Sequence, residues 1–304
     1  MKNKVLNYIV CIQGATATGK SNLAVYLAKH FNTEIISADS RQFYKEMTIG
    51  TAKPVKDDQQ DIRHHFVDFL SVSDKYSAFD FEQQALVLIS ELHQAGKLPI
   101  IVGGSGLYID AIIKGFNSIP DSDPKIRKEL VNEFKISGLN NMLKKLEDLD
   151  PEYSQLVDRS NPRRVLRALE VCIGSGIPYS KFLNKPKILR PFKTIRIGIA
   201  YPINELYNLI NIRCDSMLNN GLIDEARSLI NLKYLPALQT IGYREFFPYF
   251  ANEISIEFAI EKFKQHSRNF AKKQMSWLRR DNDIRWFIPP DKKLVLDYIL
   301  KCLY

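Results

Sequence analysis

Residues 14–21 read Gly14-Ala15-Thr16-Ala17-Thr18-Gly19-Lys20-Ser21 and fit the pattern G-x-x-x-x-G-K-[ST]. These residue types at this spacing bind phosphate. Backbone N–H groups turn toward the anion and the dipole of the following helix favours negative charge. Lys20 adds a point charge, and the Ser21 hydroxyl can hold Mg²⁺. An apolar run, Tyr8-Ile9-Val10-Cys11-Ile12, comes before the octet. Asn22-Leu23-Ala24-Val25-Tyr26-Leu27-Ala28-Lys29, with the spacing of an amphipathic helix, comes after it. Strand, glycine loop and helix N-terminus in that order predict an anion site for a phosphorylated ligand.

Two later points carry further candidates. An expected strand from Glu34 to Ser37 runs into Ala38-Asp39-Ser40-Arg41-Gln42. A carboxylate at that strand tip can hold Mg²⁺ or act as a general base; it can also simply cap a turn. A third expected strand, Leu98 to Val102, runs into Gly103-Gly104-Ser105-Gly106, where backbone and a hydroxyl can approach a ligand closely. No acid stands there, whereas nucleotide-hydrolysing P-loop proteins carry one at the end of the Walker-B strand. Ordinary ATP hydrolysis is therefore disfavoured.

Residues Ile49 to Pro54 are too polar and punctuated for core and predict a loop with ligand contacts open to it. Adjacent His64 and His65 point to different faces and make poor joint metal ligands, so hydrogen-bonded loop residues are expected. Asn161-Pro162-Arg163-Arg164-Val165-Leu166-Arg167 reads as a helix start with Pro162 at its first position. Arg163 and Arg167 share a face with Arg164 beside it. They could grip a phosphate backbone, or form a solvated basic face answered by an acid such as Glu170. From Lys262 to Arg285, basic residues interleave with Phe263, Phe270 and Trp277, and Trp286 follows. Such a segment fits a nucleic-acid-binding helix, and fits a core-packing helix with a basic outer face nearly as well.

The elements that must position these residues follow from periodicity. Strands alternate with helical patterns such as Phe79 to Gly96, which predicts an α/β fold of the P-loop NTPase-like kind. In such a fold a parallel sheet is flanked by helices, and loops 14–21, 38–42 and 103–106 gather at its carboxyl edge. From about Pro120 the texture turns helical and charge-rich. The expected organisation is a core of 1–120 plus 191–304 and a helical insertion over 121–190. A basic, proline-interrupted linker from Ser180 to Pro191 and a strand from Thr194 to Ala200 lead back to the core. Beyond residue 201 helix is expected almost to Arg280. The 304 residues, 45% hydrophobic, can bury a substantial core, and a net charge of +9 suggests a polyanionic partner. Cys11, Cys172, Cys214 and Cys302 are widely spaced and read as reduced core thiols. There is no apolar run of membrane-spanning length and no leader pattern, so a cytoplasmic protein without membrane attachment is expected.

Taken in order, these residues resemble the tRNA dimethylallyltransferase (IPP transferase) family. The resemblance covers essentially the whole chain. It rests on Gly14–Ser21, Ser37–Gln42, Ile49–Pro54, Val102-Gly103-Gly104-Ser105-Gly106-Leu107-Tyr108 and Asn161–Arg164. Gln239-Thr240-Ile241-Gly242-Tyr243-Arg244 and Lys273-Gln274-Met275-Ser276-Trp277-Leu278-Arg279-Arg280 complete it. The resemblance implies transfer of a dimethylallyl group from dimethylallyl diphosphate to N6 of adenosine 37 in the tRNA anticodon stem-loop, with Mg²⁺ as cofactor and a monomer as the working unit. It accounts for the missing Walker-B acid, because the loop then holds a diphosphate rather than a nucleotide to be hydrolysed.

By the same resemblance, Gly14, Ala15, Thr16, Ala17, Thr18, Gly19, Lys20 and Ser21 bind the diphosphate, Ser21 meets the metal, and Arg213 is a second cation for the leaving group. Asp39 takes or orients the N6 proton and Ser105 contacts the amine beside it. The tRNA contacts it implies are Asp39, Ser40, Arg41, Gln42, Ser105, Arg127, Arg163, Arg164, Val165, Leu166, Arg167, Gln239, Thr240, Ile241, Gly242, Tyr243 and Arg244. Ala15 stands where the family commonly has proline, Thr18 where it has serine, and Leu209 where many members have arginine. The competing readings are a small-molecule kinase of the P-loop class and a non-catalytic RNA-binding module. The first lacks an assignable lid arginine and leaves the basic insertion without a role.

Overall fold

The computed structural model describes residues 7–54, 61–115, 119–120, 122–183 and 188–304. It divides into two compact units, Met1–Lys114 with Arg190–Tyr304, and Gly115–Leu189.

The first unit is built on a six-stranded sheet of order β3-β2-β4-β1-β5-β6. The strands are β1 (Tyr8–Gly14), β2 (Ile35–Ser37), β3 (His64–His65), β4 (Ile100–Gly103), β5 (Lys193–Ile199) and β6 (Arg285–Phe287). Every pairing is parallel, with Val10 opposite Ile100 on one side of β1 and opposite Ile195 on the other. A parallel sheet covered on both faces needs apolar side chains on both, and β1 supplies them alternately. Val10 and Ile12 pack with Leu23, Leu27 and Ile299, from helices α1 (Lys20–His30) and the C-terminal Lys292–Leu303. Ile9 and Cys11 face Phe81, Ala85 and Ile89 of α2 (Ala78–Gln94), and Ile109 and Ile112 of α3 (Gly106–Lys114). Burial among these side chains pushes the Cys11 thiol up to about 12, so it stays a protonated core residue. After β5 the chain forms the helices Ile203–Asn219, Leu222–Ser228 and Ile256–Leu278, whose apolar sides close a further cluster around Leu206, Ile210, Phe246 and Phe263.

The second unit is helical: α4 (Pro124–Leu149), α5 (Pro151–Leu156), α6 (Pro162–Ser175) and α7 (Tyr179–Leu183). Leu130, Met142, Leu146, Val165 and Leu169 form its core. Buried Asp150 fastens two of its segments, accepting from the Tyr153 and Ser180 backbone N–H groups at 3.0 and 2.7 Å.

Several expectations are corrected. His64 and His65 are not in a loop: they form an edge strand paired to Ile35 and Ile36, and His65 Nε2 lies 2.6 Å from Glu34. The helix expected to run almost to Arg280 is interrupted, since residues 233–246 are turns. The basic segment continuing to Arg285 leaves its helix at Leu278 and joins β6. Part of the linker expected over 180–191 is helix α7; its residues 184–187, and Asp121 at the expected insertion start, lie outside the described residues.

Candidate active site

The loop after β1 turns through two left-handed residues, Ala17 (φ 65°) and Gly19 (φ 77°), before entering α1. That turning points successive backbone N–H groups inward at a helix N-terminus, which is how a chain builds an anion cradle. Thr18 holds the turn, its hydroxyl donating to the Ala15 carbonyl at 2.9 Å. Lys20 Nζ donates to the same carbonyl at 2.5 Å. Lys20 is half-buried, whereas Ser21 is exposed.

Three charged groups meet beside this loop. Arg213, on Ile203–Asn219, and Asp39, at the tip of β2, both act electrostatically on Lys20. Burial, reinforced by the positive charge of Arg213 and opposed by Asp39, draws the Lys20 ammonium down to about 7. Burial likewise holds the Arg213 guanidinium below its usual range, with Asp39 pulling the other way. Arg213 makes no hydrogen bond or ion pair among the described residues. Two partly desolvated cations opposed by the carboxylate of Asp39 leave net positive charge beside the loop.

Asp39 begins a tight turn, its Oδ1 accepting the Arg41 backbone N–H at 3.0 Å. The Arg41 guanidinium donates to the carbonyls of Ala237 and Pro236 at 3.2 and 3.4 Å, tying this turn to the segment before Gln239. Gln42 works inside the loop: its Oε1 accepts from Ser37 Oγ at 3.1 Å and its Nε2 donates to the Thr51 and Ala52 carbonyls. Ser105, half-buried at the start of α3, makes no side-chain hydrogen bond among the described residues. The Ile49–Pro54 loop ties its polar side chains to neighbouring segments of the same unit. Thr51 Oγ1 donates to the Met47 carbonyl at 2.9 Å, and buried Lys53 donates to the Tyr44 carbonyl at 2.8 Å and pairs with Asp68.

The Gln239–Arg244 segment is a set of turns held from behind. Glu245 accepts from the Gly242 N–H at 2.9 Å and from Arg244 Nε at 2.8 Å, and lies 2.7 Å from His266 Nδ1. Tyr243 is fully buried, and its hydroxyl donates to Glu225 at 2.6 Å. Glu225 also accepts the backbone N–H groups of Thr48, Ile49 and Gly50 at 3.2, 2.8 and 3.0 Å. In the helical unit, Arg163 and Arg164 are exposed and Leu166 is half-buried, while Val165 lies in that unit's core. The side chains of Val165 and Tyr243 are thus withdrawn from any surface contact, because each fills its own unit's interior. Arg127 and Arg167 both bind Glu170, at 2.8 and 3.3 Å.

Two residues with structural importance here received no role from sequence reasoning. Glu225 left no local signal. Gln274 left one: it falls on the buried face of its helix with Phe263, Ala271, Met275 and Leu278, and an amide on an apolar stripe asks for partners.

A parallel α/β sheet with a glycine loop between its central strand and the next helix, and cations gathered at the carboxyl edge, defines an α/β protein of the phosphate-binding-loop class. Comparison with known proteins narrows this. Residues 42–281 match the family model described as IPP transferase. The tRNA dimethylallyltransferase of Christiangramia forsetii is 47% identical over 294 residues, covering 96% of this chain and 97% of the relative. The tRNA dimethylallyltransferase of Flavobacterium johnsoniae is 43% identical, covering 98% and 99%. Among solved structures, the full-length tRNA isopentenylpyrophosphate transferase of Bacillus halodurans matches with TM-score 0.73 and 35% identity, covering 98% of this chain and 97% of that one. A eukaryotic dimethylallyltransferase acting on tRNA matches with TM-score 0.79 and 28% identity, covering 94% and 74%. This chain belongs to the IPP transferase family.

Proposed function

We propose that the protein transfers the dimethylallyl group of dimethylallyl diphosphate to N6 of adenosine 37 in tRNA, giving N6-(dimethylallyl)adenosine and diphosphate. The observation that carries this reading is the cluster of Lys20, Arg213 and Asp39 beside the glycine loop, with no acid at the end of β4. The residues present suit a group that leaves as diphosphate.

In the reaction the allylic C1–O bond breaks, its electron pair leaves on diphosphate, and N6 of the adenine forms the new bond to C1. Negative charge builds on the leaving oxygens, where Lys20, Arg213 and the loop N–H groups other than that of Thr16, which donates to Gln274, stabilise it. N6 must lose a proton, and in this reading Asp39 accepts or orients it. The Ser105 hydroxyl, which makes no side-chain hydrogen bond among the described residues, holds the amine in this reading. The base reaches these groups by leaving its stack, and single-stranded anticodon loops permit that at low cost.

Mg²⁺ fits this site as a companion of the substrate. Among the described residues no group of three or more His, Cys, Asp or Glu side chains could hold a metal alone. Ser21 offers one hydroxyl, and substrate phosphates and water commonly supply the rest for Mg²⁺. The ion would add charge neutralisation at the diphosphate. Ser40, Arg41, Gln239, Thr240, Ile241, Gly242 and Arg244, with Arg127, Arg163, Arg164, Leu166 and Arg167 of the helical unit, are the tRNA-facing set in this reading, and Gln42, Val165 and Tyr243 support it from inside. No helix of the described residues is long and apolar enough to cross a membrane. A tRNA substrate puts the work in the cytoplasm, with one copy of the chain acting on one tRNA.

The test is transfer of label from dimethylallyl diphosphate to unmodified tRNA with Mg²⁺, alongside a tube containing ATP and no prenyl donor. Label at adenosine 37 supports the reading. ATP consumption against a small acceptor, with no label in tRNA, replaces it with a kinase.

A further inference from the structure

Gln274 lies near the C-terminal end of Ile256–Leu278, far in sequence from the glycine loop, and is 8% exposed. Its side-chain oxygen accepts the backbone N–H of Thr16 at 2.9 Å. Its side-chain nitrogen donates to the backbone carbonyl of Gly104 at 3.0 Å. One amide thus spans two of the three loops at the carboxyl edge. The third loop is fastened to the second by close packing: a Cβ on Gly103 would come within 2.3 Å of the Ala38 carbonyl oxygen, and the Ala38 N–H donates to Val102 at 2.8 Å. Ala38 precedes Asp39, and Gly104 precedes Ser105. The path therefore runs from Thr16 through Gln274 to Gly104, and from Gly103 to Ala38.

We infer that Gln274 is a positioning residue that sets the separation between the diphosphate-holding loop and the loops carrying Asp39 and Ser105. The inference rests on the proposed transfer reaction. Prenyl transfer joins two substrates held by different loops, the donor by residues 14–21 and the acceptor amine by Asp39 and Ser105. Reaction requires N6 to stand close behind C1 and opposite the leaving oxygen, and small errors in such an alignment are expensive. A glutamine is suited to the span because it donates and accepts at once. Asparagine is one methylene shorter and cannot reach both partners, and glutamate cannot donate to Gly104. Gly104 matches Gln274 from the other side, since a Cβ there would stand 2.3 Å from the glutamine nitrogen.

The experiment measures single-turnover transfer from dimethylallyl diphosphate to unmodified tRNA, with donor and tRNA affinities and the melting temperature, for Gln274→Ala, Gln274→Glu, Gly104→Ala and the double variant G104A/Q274A. Gln274→Ala is expected to lower the transfer rate by about 10²-fold while both affinities stay within about threefold, since Gln274 is not among the groups assigned to either substrate and only ties the Thr16 N–H of one loop to the Gly104 carbonyl of the other. Gly104→Ala is expected to show the same split, and its penalty is expected to vanish in the Gln274→Ala background, where the obstructing amide is gone. A purely structural role would lower melting temperature and active fraction without that rate-against-affinity split or that coupling. Should Gln274→Ala not fold, Gly104→Ala and Gln274→Glu decide on the same split. Full rates in the folded variants, affinity losses that match the rate losses, or additive penalties in the double variant overturn the inference alone. No transfer by the unmodified protein removes the proposed function, and this inference with it.

Discussion

Lys20 and Arg213 in the sheet-based unit and Arg127 and Arg167 in the helical unit carry the same charge in different settings. The first two are partly buried, the charge of Arg213 bears on Lys20, and Asp39 opposes the shift of both. The second two converge on one buried carboxylate, Glu170, while keeping water contact, with side-chain exposures of 62% and 35%. The first arrangement holds electrostatic free energy that an incoming anion, or loss of the Lys20 proton, would release. The second is settled, because each charge already has its partner. The first pair favours an incoming anion, whereas the second is already balanced by Glu170.

The sharpest way to break this contrast is Asp39→Asn. Transfer should fall by about 10³-fold with tRNA affinity unchanged in filter binding; an intact rate would remove Asp39 from the chemistry. Lys20→Ala should follow, with donor kcat/KM lower by about 10²-fold. Lys20 also predicts a pH signature. Its folded-state value, about 7, is below the ordinary 10.5 of the unfolded chain, so between those values the unfolded state binds more protons. The strain Lys20 adds is therefore greatest below pH 7 and fades as pH rises toward 10.5. Lys20→Met should accordingly raise the melting temperature more at pH 6 than at pH 9. Diphosphate binding at pH 8 should take up a proton, visible as calorimetric heats that depend on the buffer.

On the other side of the comparison, Glu170→Ala should cost about 2–3 kcal/mol of stability, read by urea melts. It removes the shared acceptor of Arg127, Arg167 and Ser122 Oγ. Arg163→Ala should weaken tRNA binding a few-fold and flatten its salt dependence by about one charge, with the rate of bound complex untouched. The smallest effect belongs to Tyr243→Phe, which loses one hydrogen bond to Glu225 and should cost about 1 kcal/mol, with tRNA affinity reduced only as far as the Gln239–Arg244 turns loosen.

The parts legible in the sequence were those fixed by local pattern. β1, its glycine loop and α1 are contiguous, and apolar runs announced β2, β4 and β5. β3 and β6 were not legible because two or three residues carry no period of their own; a neighbouring strand's unpaired edge makes them strands. His64, His65, Arg285 and Trp286 look like loop or basic-helix residues until Ile35 and Ile197 are placed beside them. In the site, Lys20, Asp39, Ser105 and Arg213 were named through ordered motifs, but the mutual influence of Lys20, Asp39 and Arg213 is a fact of tertiary placement. The links made by Gln274 and Glu225 bridge long stretches of chain, and no local rule contains them. Burial of Val165 and Tyr243 within motifs otherwise read as surface shows that a motif mixes residues that touch a ligand with residues that hold the touching ones.

The chain leaves the sheet-based unit at Lys114 and re-enters it at Arg190. Arg190 is pinned on arrival, its guanidinium donating to the Ala111 carbonyl at 2.8 Å and to Glu82 at 2.5 Å. The two ends of the excursion are therefore held together by the sheet-based unit itself. A short connector between them would close the core with little added loop entropy, since closure cost grows only slowly with length. The helical unit is thus topologically an accessory, a module that evolution could lengthen, exchange or remove at one point without rethreading the sheet.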